Sequence, residues 1–303
     1  MASDILAAII RANLVGALAI LVVLALRLPM RRRFGPELAY GLWAIPPIAF
    51  VATLMPPPVL LDDPAADPFA LAQDHSALAM ALWVSGLALA VALFARAQMK
   101  FMAAARMGCA GPSVVGVVNP RIIMPRDEGA YSAEERELIR AHERQHIARA
   151  DPRAGALATA FQAICWFNPL VHVAAHLMRL DQELACDAGV LRARPHDRAL
   201  YARTLLKTQL ATQALPFGCH WPAAAPHPLE VRVVTLARPV SHDGITGPVL
   251  LGVAIVTAAL MAWNAQPPGE KHPPPVIVFL EQQAKRPVSV MLVDAPRRPT
   301  AQP

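Results

Sequence analysis

The chain has 303 residues, 55% of them hydrophobic and only 17% charged, with a mean hydropathy of +0.38. That balance is too apolar for an ordinary soluble protein and favours a membrane protein. The net charge of +6 does not by itself imply direct nucleic-acid binding, since arginines at the edges of apolar runs supply much of the excess and no groove-reading motif is present.

Four uncharged runs are long enough to cross about 30 Å of hydrocarbon as helices. They are Ala12 to Leu26, with a start as early as Ile5, then Leu38 to Leu61, Ser76 to Ala95 and Ile245 to Trp263. The first residues carry no basic group and Arg27 follows the first run, which is the wrong polarity for a cleaved signal peptide, so the run is expected to be a retained span. Within it, Arg11 lies close enough to the outer end to snorkel toward headgroups, and Asn13 is a second polar residue. Arg27, Arg31, Arg32 and Arg33 fall between spans one and two, whereas Asp62, Asp63, Asp67 and Asp74 fall between two and three. This asymmetry puts the N-terminus outside and the arginines in the cytoplasm. Span two contains Pro46-Pro47 and ends in Pro56-Pro57-Pro58, which predicts a kink and an abrupt stop.

The expected organisation is a three-span region over 1–95, a cytoplasmic domain over 96–244, a fourth span over 245–264 and a Pro-rich external tail over 265–303. The cytoplasmic assignment is flanked by Arg96, Lys100, Arg106, Arg232 and Arg238. All four cysteines, Cys109, Cys165, Cys186 and Cys219, fall in that segment without paired spacing, so disulfides are not expected.

Within the domain, Val114-Val115, Val117-Val118 and Ile122-Ile123-Met124, separated by Asn119-Pro120, predict a short hairpin. Such a hairpin could hold an extended peptide along its edge or simply brace the helices. Ser132 with Glu135 is a capping-box start, and with no Gly or Pro before Pro152 the stretch from Glu134 to Asp151 predicts one helix. On it, His142 and His146 are four apart and share a face, so both imidazoles can reach one zinc ion. Glu143 stands beside them as a general base.

After the break at Asp151-Pro152 an apolar helix is expected to run through Phe167, ending at Asn168-Pro169, and another from Leu170 to Leu191. The latter carries His172, His176, Glu183 and Asp187 within about a 60° arc. Glu183 is the expected third metal ligand, with Asp187 behind it to orient a ligand imidazole. His172 and His176 are expected to line the site or serve structure, one of them, like Arg179, being a candidate for stabilising transition-state charge. An isolated Cys186 beside Asp187 reads as small buried packing. Residues 196 to 213 look helical. A turn region with Pro216, Pro222, Pro226 and Pro228 then precedes a juxtamembrane helix over Leu229 to Arg238, and the tail holds two β-prone runs, Val276 to Leu280 and Val288 to Val293.

Three stretches together carry a family resemblance: Gly116-Val117-Val118-Asn119-Pro120-Arg121-Ile122-Ile123-Met124-Pro125; His142-Glu143-Arg144-Gln145-His146 with Asp151; and Trp166-Phe167-Asn168-Pro169-Leu170 followed by Asp181-Gln182-Glu183-Leu184-Ala185-Cys186-Asp187. The chain resembles the BlaR/MecR-type membrane metallopeptidases, family 56 of the metallopeptidases, over roughly residues 1 to 265. The resemblance implies a mainly α, four-span helical membrane protein with an α+β gluzincin-like zinc domain inserted between spans three and four. It further implies a signal-transducing protease that cuts itself and a DNA-binding repressor. In the antibiotic-sensing members a penicillin-binding domain follows the last span; here that position holds the Pro-rich tail, with no S-x-x-K after residue 264. The partners expected are a protein substrate such as a cytoplasmic repressor, membrane lipid, and a second copy of the chain in a homodimer. A different class stays open: a signalling or scaffold protein whose zinc is structural, which a fourth ligand from His176 or Cys186 would favour.

Overall fold

The computed structural model describes residues 2–61, 67, 69, 73–108, 111–124, 129, 131–211, 228–237, 244–270, 276–278 and 291–293. Asp62, Asp63, Cys109, Pro216, Cys219, Pro222, Pro226, Arg238 and most of the tail lie outside the described residues. The chain is mainly helical. In order it forms α1 (Ala2–Phe34), α2 (Pro36–Gly41), a 3-10 turn (Leu42–Ala44), α3 (Ile45–Ala52), β1 (Leu60–Leu61) and α4 (Gln73–Arg106). There follow β2 (Ser113–Val115), β3 (Arg121–Ile123), α5 (Ala133–Ala148), α6 (Asp151–Ile164) and α7 (Pro169–Ala193). A second 3-10 turn (Pro195–Asp197) leads into α8 (Arg198–Ala211), then α9 (Pro228–Leu236), α10 (Thr246–Asn264), β4 (Gly269–Glu270), β5 (Val276–Val278) and β6 (Met291–Val293).

Among the described residues, three helices are long and apolar enough to cross a membrane: Ser3–Phe34, His75–Arg106 and Thr246–Asn264. Many of their large side chains face outward, as with Leu78 and Leu82, both 62% exposed, which suits hydrocarbon and not water. The expected second span is instead broken. Pro46 and Pro47 occupy the first turn of α3, where a missing N–H costs nothing, so the interruption falls on the 3-10 turn just before them. α2 and α3 pack along α10, where Leu251 meets Gly41 near one end and the Trp263 indole donates to the Pro56 carbonyl near the other. These two segments therefore run in the same direction, and their far ends are stitched by the parallel pair β1–β4.

The hairpin is present: β2 and β3 pair antiparallel with Val114 opposite Ile122, while Val117 and Val118 form its exposed turn. The capping box at Ser132 and Glu135 starts α5. That helix ends three residues earlier than expected, at Ala148, because Ala150 adopts a left-handed conformation (φ 58°) and Asp151 opens α6. The tail's β-prone runs pair as the antiparallel strands β5 and β6.

Two apolar cores result. One, with Ile20, Val23, Trp43, Phe50, Cys165, Val171 and Met178, joins α1 and α3 to α6 and α7. The other, with Leu138, Val190, Leu191, Tyr201, Leu205 and Leu236, joins α5, α7, α8 and α9.

The arginines after the first span are not loop residues. α1 continues through Phe34, and Arg27 is buried, its Nε 2.8 Å and its second terminal nitrogen 2.9 Å from the Asp181 carboxylate of α7. The Trp43 indole donates to the same carboxylate at 2.8 Å, and Arg31 stands 3.6 Å from it. Arg11, expected to reach for headgroups, instead binds Asp67 at 2.9 Å. Because Asp181 has no exposed surface, Asp181→Leu strands a buried guanidinium and is expected to cost about 3–5 kcal/mol. Replacing both partners, Arg27→Leu with Asp181→Leu, should recover most of that loss. Unfolding of the detergent-solubilised chain checks both; a single variant as stable as wild type would show that the pair contributes nothing.

Candidate metal centre

The centre is assembled where α5 crosses α7. Gly189 of α7 makes that approach feasible, since a Cβ there would stand 2.6 Å from the Gln145 side chain of α5. His142 and His146 leave α5 one turn apart with their Nε2 atoms 3.1 Å from each other. The Glu183 carboxylate enters from α7, one oxygen 3.3 Å from His142 Nε2 and the other 3.6 Å from His146 Nε2. Zinc–ligand bonds of about 2.0–2.2 Å at a tetrahedral angle place donor atoms about 3.3–3.6 Å apart; both distances to Glu183 fall in that range and the two imidazoles stand slightly closer, so this donor set suits one zinc ion in spacing and in chemistry.

The outer nitrogens decide which atoms face inward. His146 Nδ1 lies 2.8 Å from Asp151 Oδ2, and because a carboxylate only accepts, Nδ1 carries the proton. His142 Nδ1 lies 2.8 Å from the Tyr201 hydroxyl, which donates to Asp187 Oδ1 at 2.6 Å. Asp187 therefore reaches the His142 imidazole largely through Tyr201, its own oxygen lying 3.4 Å from Nδ1. Both Nε2 lone pairs are left pointing at each other and at Glu183.

Burial opposes a charge on His142, but hydrogen bonds to Asp187 and Glu183 outweigh it and push the imidazole up to about 10. Zinc must displace that proton to bind.

Arg232 forks the two carboxylates of α7. It donates to Asp187 from Nε at 2.9 Å and from one terminal nitrogen at 2.7 Å, and its other terminal nitrogen lies 2.9 Å from Glu183. Burial works against ionising Glu183, yet Arg232, then the imidazoles, hold it down at about 2. The same contest leaves Asp187 well below the usual carboxylate range. Glu143 differs. It is buried, 6% exposed, and that burial raises its pKa against the pull of His142 and His146. A carboxylate of raised basicity beside the donor set can take up a proton and release it again.

A second cluster, His146 with Asp151 and Cys186, meets on the Nδ1 side of His146, away from the first. Burial pushes the Cys186 thiol far up, and it donates to Asp151 at 3.4 Å as a neutral group. Cys186 is therefore packing beside the carboxylate and not a fourth ligand.

His172 and His176 do not join the centre. They share the helical face of Glu183 but sit lower on it, His172 about 16 Å away along the axis. His172 instead bonds Gln162 at 3.2 Å and the Trp166 carbonyl at 3.0 Å, and His176 lies near Arg27 and Arg179. Arg179 thus belongs to the His176 neighbourhood and not to the metal group.

Three further residues support the centre. Arg232, a membrane-edge charge by its sequence position, is a buried cation in the apolar helix α9; a charge amid Val231, Val233 and Val234 is the trace it leaves in the sequence. Tyr201 leaves no such trace. Tyr40 of α2 donates to Asp151 at 2.9 Å and so reaches the carboxylate that holds His146.

The sequence model of the family described as BlaR1 peptidase M56 matches residues 7–88 and 95–236. The regulatory protein BlaR1 of Bacillus licheniformis is 32% identical over 131 residues, 42% of this chain and 22% of that protein. The methicillin resistance mecR1 protein of Staphylococcus aureus is 31% identical over 101 residues, 33% of this chain and 17% of that one. The matched stretch spans about a fifth of the length of these relatives. With the family match running from the first membrane helix through α5, α7 and Arg232 of α9, the chain belongs to the BlaR1 peptidase M56 family.

Proposed function

We propose that the chain is a membrane-embedded zinc endopeptidase of gluzincin type that acts in signal transduction by cutting a cytoplasmic regulator, such as a repressor, or itself. The observation that carries this is the three-donor group of His142, His146 and Glu183, each donor oriented from behind, with a buried carboxylate at Glu143 beside it. A purely structural zinc needs four protein donors and has no use for Glu143. Neither His176 nor Cys186 supplies the fourth.

Bound at this group, zinc supplies Lewis acidity toward a scissile carbonyl and toward water. The chain's own residues do the rest. Asp151 and the Tyr201–Asp187 pair keep the imidazole protons on Nδ1, so both Nε2 atoms stay free to ligate. Arg232 keeps Glu183 ionised. Glu143 accepts a proton from the attacking water at its carboxylate and returns it to the leaving amine. The hairpin β2–β3 lies against α5, where an extended peptide could pair along its edge.

The arginine-bearing end of α1 binds Asp181, two residues before Glu183, so the metal group lies on the Arg31–Arg33 side. By the charge asymmetry of the loops that side is cytoplasmic, with the N-terminus and tail outside. The relatives' names, a regulatory protein and a methicillin resistance protein, support a regulatory role.

Glu143→Ala is expected to keep zinc at full stoichiometry while cleavage, of the chain itself or of a co-expressed repressor-type substrate, falls about 10²- to 10⁴-fold. Undiminished cleavage would remove Glu143 from the mechanism. Chelation should abolish cleavage and lower the melting temperature together, with added zinc restoring both. Asp151→Ala and Asp187→Ala should each weaken zinc binding about 10- to 100-fold, measured by competition with a chromogenic chelator. Unchanged affinity in both would show that neither carboxylate orients a ligand.

A further inference from the structure

From Ala154 to Met178 the chain has no Asp, Glu, Lys or Arg, yet this stretch folds as two helices, α6 and the first half of α7, joined by a turn at 165–167. Neither arm crosses a bilayer. The 14 residues of α6 rise about 21 Å, and uncharged helices of that length belong to buried cores or re-entrant segments.

The hairpin lies alongside the apolar part of α1. Asn168 donates to Asn13 at 2.9 Å at one level, and Arg27 binds Asp181 at 2.8 Å at another. Both pairs of anchor points are about 20 Å apart along their helices, so α7 runs beside α1 for most of the hydrocarbon thickness. α4 places the turn at the same depth. Its Trp83 indole donates to the Ile164 carbonyl at 3.0 Å, and the Trp166 indole donates back to the Trp83 carbonyl at 3.3 Å. Gly86 gives the Trp166 ring its seat, since a Cβ there would fall 2.1 Å from the indole. Trp83 lies about two turns inside the outer end of its apolar run, which begins at Ser76.

Irregular backbone at such a depth must satisfy its polar groups within the protein. Here the Ile164 carbonyl accepts from Trp83, the Trp166 carbonyl accepts from His172 Nε2 at 3.0 Å, and the Leu170 N–H donates to the Asn168 side chain at 2.9 Å. Gln162 donates to His172 Nδ1 at 3.2 Å and so fixes the tautomer that caps the turn. Between the hairpin, α1 and α3 lies a cavity of about 300 Å³ whose only charged lining residue is Arg149, a space for hydrocarbon more than for water.

We propose that α6, its turn and the first half of α7 are a re-entrant hairpin. It enters the bilayer from the Arg31–Arg33 side, turns back short of the far face, and meets lipid acyl chains through Leu157, Trp166 and Phe167, which are 56%, 38% and 43% exposed. Residues 96–244 are then not wholly cytoplasmic, and His172 serves the buried turn. The proposal holds whether or not the metal group cuts peptides.

The full chain in phosphatidylcholine nanodiscs tests it. The fluorescence lost in Trp166→Phe isolates the signal of Trp166. Mid-chain brominated phosphatidylcholine is expected to quench that signal several-fold more than aqueous iodide does. Quenching by iodide alone overturns the proposal, and so does shielding from both quenchers, which would mean that the tip faces protein. Should Trp166→Phe fail to fold, a spin label at Phe167→Cys in a background without native cysteines gives the same answer. Its accessibility to oxygen over a nickel chelate should exceed that of Val118→Cys several-fold; equal ratios at the two sites overturn the proposal.

Discussion

Two imidazole nitrogens 3.1 Å apart, each with its proton drawn to the far side of its ring, repel one another unless something positive lies between them. The rest of the chain holds that unfavourable arrangement in place. Asp151 and the Tyr201–Asp187 pair take the outer protons, and Glu183 adds a negative charge to the inner face. Arg232 then offsets the accumulation of carboxylates from behind. The position these donors surround suits a cation, with donor distances close to those around a small tetrahedral metal ion.

The same residues tie this group to the membrane helices. Tyr40 of α2 bonds Asp151, and Gln182 of α7 donates to the same hydroxyl at 3.4 Å. Arg27 of α1 and Trp43 of the 3-10 turn share Asp181, two residues from Glu183. Each ligand-bearing helix is therefore coupled, through a carboxylate next to a donor, to the segment 27–43 that joins the first two apolar stretches. A displacement of that segment cannot leave both carboxylates where they are. In a packed interior, such contacts are one physical route by which a shift of the membrane segment reaches the donors.

Much of the centre was legible because helical spacing is short-range. His142, Glu143 and His146 lie within five residues on one capped helix, so their convergence depends only on the 3.6-residue turn. Glu183 and Asp187 could be added because a four-residue spacing on an apolar helix requires a partner. Angular position alone could not separate His172 and His176 from the donors, since they share that face but differ in height along it. The hairpin and the tail's paired strands were legible from β-branched runs. The broken second span was legible only in part, since Pro46-Pro47 signalled a kink without showing that the interruption falls on the 3-10 turn preceding them.

Residues supplied by tertiary contact were not legible. Arg232 lies 45 positions beyond Asp187 and had an adequate explanation as a charge at a membrane edge. Arg27 had the same one. In both cases a basic residue beside an apolar run was assigned to water, whereas the fold buries it against a carboxylate of α7. The rule that basic residues flank spans describes where such charges are tolerated, not what they bind. A basic residue flanking an apolar helix loses less by burial when a carboxylate from a neighbouring helix is already waiting at that level. Asp181, Glu183 and Asp187, three acids within seven residues of one largely buried stretch of α7, need cations, and the fold brings Arg27 to the first and Arg232 to the other two.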